Sequence, residues 1–135
     1  MADLKIGQAA RAAQVNVETI RYYERRGLLT QPMKPVDGRP RLYDPASVSR
    51  LRFIKDAQGI GFSLSEIADL LSLRARADAN CHDVRKLAVQ KRREVRERLE
   101  GLQKIATLLD ELIDDCPGNG DLGACSIIGA IERPK

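Results

Sequence analysis

Apolar positions along this chain recur with a helical period in short blocks, then in one long block, and the period is lost between residues 28 and 43. Ile6 to Ala13 (IGQAARAA) and Val17 to Arg26 (VETIRYYERR) read as two short helices. Gln14-Val15 makes the turn between them, Asn16 is a fitting N-cap, and Gly27 is a C-terminal stop. Two short helices joined by a tight turn form the helix-turn-helix pattern. From Leu28 to Tyr43 the residues Pro32, Pro35, Gly38 and Pro40 exclude a helix. Asp37-Gly38 is a hairpin-turn pair, so Met33–Val36 and Arg39–Tyr43 are predicted to form a two-stranded wing with Pro40 on an edge.

Asp44-Pro45 supplies an N-cap and a proline at the first helical position of a helix predicted to run to about Gly59, with Gly59 and Gly61 ending it. Val48, Leu51, Phe53, Ile54 and Ala57 are its apolar residues. Ser63 and Glu66 form a capping box at the head of a further short helix that faces inward through Ile67, Leu70 and Leu71. Residues 1–75 are therefore predicted to be one four-helix unit with a wing, and 76–80 a polar joint. Asn80 then caps a helix over 81–115. Along it Val84, Ala88, Val95, Leu102, Ile105, Leu109 and Leu112 mark an a/d seam, widened by Leu99, Ala106 and Ile113 and interrupted by Lys91 and Arg98. So long a helix has too little chain around it to bury that stripe, and is predicted to pair with a copy of itself. Pro117, Gly118 and Gly120 stop it, and residues 116–135 form a loop followed by SIIGAIE as a last short turn or helix. The fold class is all-α with a small β wing.

Charge assigns roles to these pieces. Residues 1–80 hold 13 Lys/Arg against 9 Asp/Glu, while residues 81–135 hold 10 of each. The basic excess fits a phosphate-contacting module in front of a neutral, self-associating one, although a solvated basic face has the same signature. No stretch approaches ~20 consecutive apolar residues and the N-terminus has no apolar signal core, so a cytoplasmic protein away from membranes is expected.

The cysteines carry more. Cys81 and Cys116 are 35 residues apart, five whole heptads, at the two ends of the long helix. At about 1.5 Å per residue that helix separates their sulfurs by roughly 50 Å. If they act together, a second subunit must lie antiparallel. Cys125 follows after a loop of eight residues. Three cysteines argue against a closed disulfide framework. In a reducing cell they read as core fillers, redox groups or metal ligands, and a Cys116–Cys125 disulfide is open under oxidation.

On a helix-turn-helix the second helix enters the major groove. Thr19, Arg21, Tyr22, Tyr23, Arg25 and Arg26 supply that face, with Arg39, Arg41 and Tyr43 on the wing and Lys55 on the third helix extending the grip along phosphates. One of Tyr22 and Tyr23 must pack inward, because alternate members of a short helix do.

The stretches VNVETIRYYERRGLL, RLY before Asp44 and IGFSLSEIADLL, in the order helix-turn-helix, wing, long helix, resemble the MerR family of bacterial transcriptional regulators over almost the whole chain. The resemblance implies an antiparallel homodimer through the long helix, bound to double-stranded promoter DNA. It implies a promoter held silent without effector and activated for RNA polymerase when the DNA is bent and untwisted. Only 19 residues follow Cys116, too few for the drug-binding domain of some members, and three cysteines do not match the four that hold an iron–sulfur cluster in others. The branch that remains senses soft metals.

Cys81 resembles the divalent-metal readers, since copper and gold sensors have serine there. Residues 117–124 contain no histidine, unlike zinc sensors. The 35- and 9-residue separations and Lys34-Pro35 resemble the mercury-responsive members. That resemblance assigns Cys81 of one subunit with Cys116 and Cys125 of the other to each of two Hg(II) sites; Pb(II) and Cd(II), and at a further remove Zn(II), are alternatives. Three thiolates without a fourth protein ligand independently suit a soft ion that accepts low coordination, and a thiol in a first helical turn is expected to ionise easily. Asp114 stands where mercury sensors carry an extra, non-ligating cysteine, and the wing is about one residue longer. His82 points about 100° away from Cys81 around the helix and reads as a capping or solvated residue; Asp114 and Asp115 read as a solvated helix end. Two rivals are an enzyme with a reactive cysteine, for which the lone histidine is badly placed, and a helical adaptor whose cysteines only pack.

Overall fold

Local capping chemistry sets nearly every helix end in the computed structural model, which describes residues 2–132. Helix α1 (Ile6–Ala13) starts where the Gln8 side chain accepts the Lys5 backbone N–H at 3.0 Å. It ends at Gln14, which adopts the left-handed region at φ 58°. Helix α2 (Val17–Arg25) is capped by Asn16, whose side chain accepts from the Thr19 backbone N–H at 2.7 Å and from its hydroxyl at 2.8 Å. Gly27, at φ 76°, turns the chain away after it, and the Leu28 N–H donates back to the Tyr23 carbonyl.

Helix α3 (Pro45–Ile60) opens on Asp44, whose carboxylate accepts the Ser47 N–H at 2.8 Å, with proline in the first turn. That hydrogen bond holds the Asp44 carboxyl below its ordinary range. The helix runs through Gly59 and stops at Gly61 (φ 112°), one turn-residue later than the glycine pair suggests. Helix α4 (Leu64–Ala75) has both halves of the expected capping box: Ser63 and Glu66 exchange backbone-to-side-chain bonds of 2.8 and 3.1 Å.

The wing differs from expectation. No strand forms among the described residues from 30 to 42, and the only ladder pair is an isolated antiparallel bridge between Leu4 and Tyr43. Pro35 and Pro40 account for this, since each removes a ladder donor from a strand only four or five residues long. The fold class is otherwise as expected.

Ala9, Ile20, Leu51, Ile54 and Ile67 are fully buried where α1 to α4 meet, joined by Tyr23, Leu28, Leu29, Tyr43 and Val48. Two arginines on α3 clamp this core from outside. Arg50 donates to the Leu28 carbonyl at 2.7 Å in the loop after α2, and Arg52 donates to the Ala12 carbonyl at 3.0 and 3.2 Å, which the end of α1 leaves open.

Helix α5 (Cys81–Asp115) is continuous for 35 residues. The Asn80 side chain accepts the His82 N–H at 2.9 Å while Asp83 accepts the Asn80 N–H at 3.0 Å, a reciprocal cap that fixes Cys81 as the first helical residue. By internal contacts the chain divides inside this helix into Met1–Ala88 and Val89–Lys135. In the second of these, a single 3-10 turn (Leu122–Ala124), capped by Asp121, leads into helix α6 (Ser126–Glu132). The proposed last short helix is thus present; the 3-10 turn before it is additional. None of the described helices is long and apolar enough to cross a membrane.

Candidate nucleic-acid interface and metal centre

Helix α2 presents a basic, aromatic outer face. Arg21, Tyr22, Arg25 and Arg26 are exposed, and the Arg25 and Arg26 guanidinium carbons lie 5.9 and 6.0 Å from the Tyr22 ring centroid. Two cations near one ring restrict the phenol, and both guanidinium side chains remain exposed. Arg21 pairs only loosely with Glu18, at 3.6 Å on an open surface, so that contact competes weakly with an anion. Thr19 is half-buried, with its hydroxyl already donated to Asn16.

Of the two adjacent tyrosines, Tyr23 is the packed one. Its hydroxyl donates to the Gln58 side-chain oxygen, and burial raises its pKa. Tyr43 is buried as well, at 1% exposure, and donates to Glu24 at 2.9 Å. Burial first, then the Glu24 hydrogen bond and charge, push its pKa up to about 12. Neither hydroxyl is offered outward: Tyr23 ties α2 to α3, and Tyr43 ties the end of the wing to α2. Both therefore act as positioning residues for the arginines beside them.

On the wing, Arg39 closes onto Asp37 at 2.6 Å. Arg41 lines a cavity of about 360 Å³ with Lys5, Arg21, Glu24 and Lys34, and its Nε is buried without a hydrogen-bond partner among the described residues. A hollow with four cations against one carboxylate favours an anion. Lys55 reaches the Gln14 side chain at 3.3 Å, on the helix-turn-helix turn itself. The α3 arginines, Arg50 and Arg52, are absent from the sequence reading, because the carbonyls they meet lie 22 and 40 residues away along the chain.

The thiols divide between the two units. Cys81 is exposed at the head of α5, at the edge of an apolar groove of about 670 Å³ walled by Phe53, Ile60, Phe62, Leu70, Leu73 and Val84. Cys116, just past the end of α5, and Cys125 are both half-buried, and the Cys116 thiol lies near enough to act on the Cys125 thiol. Cys125 precedes the first residue of α6, so its sulfur takes the capping position. The backbone N–H groups of Ile128 and Ile127 lower its pKa, with a smaller contribution from the Cys116 thiol. His82 is exposed and contributes its backbone N–H to the Asn80 cap. Among the described residues no group of three or more His, Cys, Asp or Glu side chains is arranged to hold a metal ion.

Comparison with known proteins puts a family to this arrangement. Residues 4–73 match the model of the MerR HTH family regulatory proteins, and residues 48–112 match the model described as MerR, DNA binding. The mercuric resistance operon regulatory protein of Serratia marcescens is 44% identical over 133 residues, covering 98% of this chain and 90% of that protein. Among solved structures, the lead(II) complex of the transcription regulator PbrR691 from Ralstonia metallidurans CH34 superimposes with a TM-score of 0.81 at 31% identity, covering 95% of this chain and 98% of that one. The mercury(II) complex of MerR from Bacillus megaterium MB1 does so with a TM-score of 0.72 at 35% identity, over 96% and 100%. The chain belongs to the MerR family of helix-turn-helix, DNA-binding transcriptional regulators.

Proposed function

We propose that this regulator is a homodimer that keeps its promoter silent without metal and activates it for RNA polymerase, by distorting the DNA, when Hg(II) is held by three thiolates drawn from both subunits. The observation that carries this reading is the arrangement of the thiols. Cys116 lies near enough to Cys125 to help lower its pKa at the head of α6, whereas Cys81 heads α5, at the opposite end of a 35-residue helix. Two neighbouring donors and a third displaced by a whole helix fit a site that two antiparallel chains complete. The donor set suits the ion: three soft sulfurs favour a thiophilic cation of low coordination number. Mercury-resistance regulators among the relatives and a mercury(II) complex among the similar structures support the same choice.

In this reading the exposed stripe of α5, Val95, Leu99, Leu102, Ile105 and Leu109, is covered by the partner's copy. Helix α2 enters the major groove, and Arg21, Tyr22, Arg25, Arg39 and Arg41 meet bases or phosphates. The protein works in the cytoplasm, where its promoter is. A lead-responsive regulator is the second reading, favoured by the lead(II) complex of the PbrR691 regulator.

A competition titration with Hg(II), Pb(II), Cd(II) and Zn(II), followed by thiolate charge-transfer absorbance and repeated on Cys81→Ser, tests the assignment. Two ions per dimer with Hg(II) bound tightest, and loss of the three-thiolate band in Cys81→Ser, are expected. One ion per dimer, or affinity indifferent to Cys81, refutes it; Pb(II) outcompeting Hg(II) selects the second reading.

A further inference from the structure

Charge along α5 is sorted by position. Residues 84–93 carry five cations and no carboxylate, while residues 105–115 carry four carboxylates and no cation. Apart from Lys91, all nine of these side chains are exposed. The order runs against the helix's own dipole, which favours carboxylates in the first turn and cations in the last. Asp114 and Asp115 close α5 with no basic residue in that last turn. Within one chain the two blocks do not neutralise each other. From Arg93 to Asp110 is about 25 Å of helix, well beyond the roughly 8 Å over which exposed charges act at physiological salt. Among the described residues, neither Arg92 nor Asp110 has an ion-pair partner in its own chain.

A second copy of the helix supplies the missing counter-charges in one direction and not in the other. The uncovered apolar seam has Ala88, Val95, Leu102 and Leu109 in its a row and Val84, Ile105 and Leu112 in its d row. In a parallel pair equal residues lie level, so each block faces its own copy, cation against cation and carboxylate against carboxylate. In an antiparallel pair a residues meet d residues, and the permitted registers step by a heptad, about 10 Å. The register that sets Val84 opposite the partner's Cys116 leaves Cys81 beside the loop from Cys116 to Cys125. There Val95 meets the partner's Ile105, and residues 84–93 run alongside the partner's residues 107–116. The cationic block lies on the carboxylate block at both ends of the pair. Arg92 and the partner's Asp110 then share one flank of the seam, offset by about 3 Å along the axis.

We propose that this sorting of charge selects the partner of α5: a second copy in the antiparallel direction, with Arg92 of each chain against Asp110 of the other as the specificity-determining contact. This rests on the homodimer proposed above and adds the force that sets its direction and register. The apolar seam provides the affinity, because exposed ion pairs are solvated and screened. The charges act by making the wrong pairings repulsive, so a helix whose charges are not sorted in the same sense is rejected. Since both blocks flank the ends that carry the thiols, the same contact holds Cys81 beside the partner's loop in the absence of an ion.

The test compares Arg92→Glu with Asp110→Lys in the full chain, the two carrying tags of different mass. Sedimentation follows dimer formation, and native mass spectrometry follows partner choice after mixing. Each variant alone sets like charges together at both ends of its dimer, and its dissociation constant is expected to rise about tenfold. Mixed, the two make one reversed and one wild-type contact, so the heterodimer should exceed its statistical share and recover wild-type affinity. The wild-type dimer should itself weaken severalfold between about 0.05 and about 0.5 M NaCl. Both positions are exposed, and recovery in the mixture shows that each chain folds. If the wild type is a dimer and the variants keep its dissociation constant and mix statistically, the charge selection is overturned while the homodimer stands. A monomeric wild type overturns the homodimer and the charge selection with it. If Arg92→Glu leaves dimerisation unchanged but weakens binding to a duplex selected from a random pool, the selection is likewise overturned and the cationic block belongs to DNA.

Discussion

Tyr43 shows how a single side chain can change role between sequence and structure. Its place at the end of the wing, two residues after Arg41, reads as a phosphate contact, yet it is buried with its hydroxyl committed to Glu24. Tyr43→Phe leaves the Glu24 carboxylate short of a donor, and is expected to cost about 1 kcal/mol in urea unfolding. DNA affinity should fall modestly with an unchanged salt slope, since no charge leaves the interface. Its titration also sets an alkaline limit. The folded pKa lies above the ordinary value of 10.0, at about 12, so the stabilisation is fully present below pH 10 and is lost as pH rises towards 12. Wild type should therefore lose stability across that window more steeply than Tyr43→Phe. At the acid end the sign reverses: Asp44 has a lowered pKa, so its contribution is present above the ordinary carboxylate range and fades as pH falls through the folded value.

At the scale of elements, the helices were legible because each carries its own punctuation. Asn16, Asp44-Pro45, Ser63 with Glu66, and Asn80 all cap where the pattern places them. Replacing Asn16 by alanine removes the cap of α2 and should cost about 1 kcal/mol, read as an earlier denaturant midpoint with unchanged slope. The wing was misread because the turn signal Asp37-Gly38 is correct while the strands that should flank it are denied donors by two prolines. The buried identity of Tyr23 over Tyr22 was legible only as an alternative. Which tyrosine faces inward depends on the Gln58 partner, 35 residues away, and that is a tertiary fact no local window contains. The grouping of Cys116 with Cys125 was legible through the family resemblance, whereas the 3-10 turn between them was not. For α5 the stripe itself makes the prediction: Leu102→Glu with Leu109→Glu should leave the isolated chain folded in residues 2–88 and shift sedimentation from dimer to monomer.

For the whole molecule, the proposed shared site would make a demand that no single chain can meet. Cys81→Ser homodimers and Cys116→Ser/Cys125→Ser homodimers should each lack a complete three-thiolate site. Mixed dimers of the two should regain one site per dimer, measurable as about half the wild-type charge-transfer amplitude. If each site were instead built within one chain, mixing would restore nothing. The bare flank of α5 carries this dependence further. Val95, Leu99, Leu102, Ile105, Leu108, Leu109 and Ile113 are all exposed in the single chain, so in the proposed homodimer the long helix would gain most of its stability from association and not from its own contacts. Mass action then governs folding: each tenfold rise in chain concentration adds about 1.4 kcal/mol to the assembled state, and the melting temperature should climb with concentration. In a cell holding few copies, the number of molecules present decides whether a functional detector exists at all, before any ion arrives.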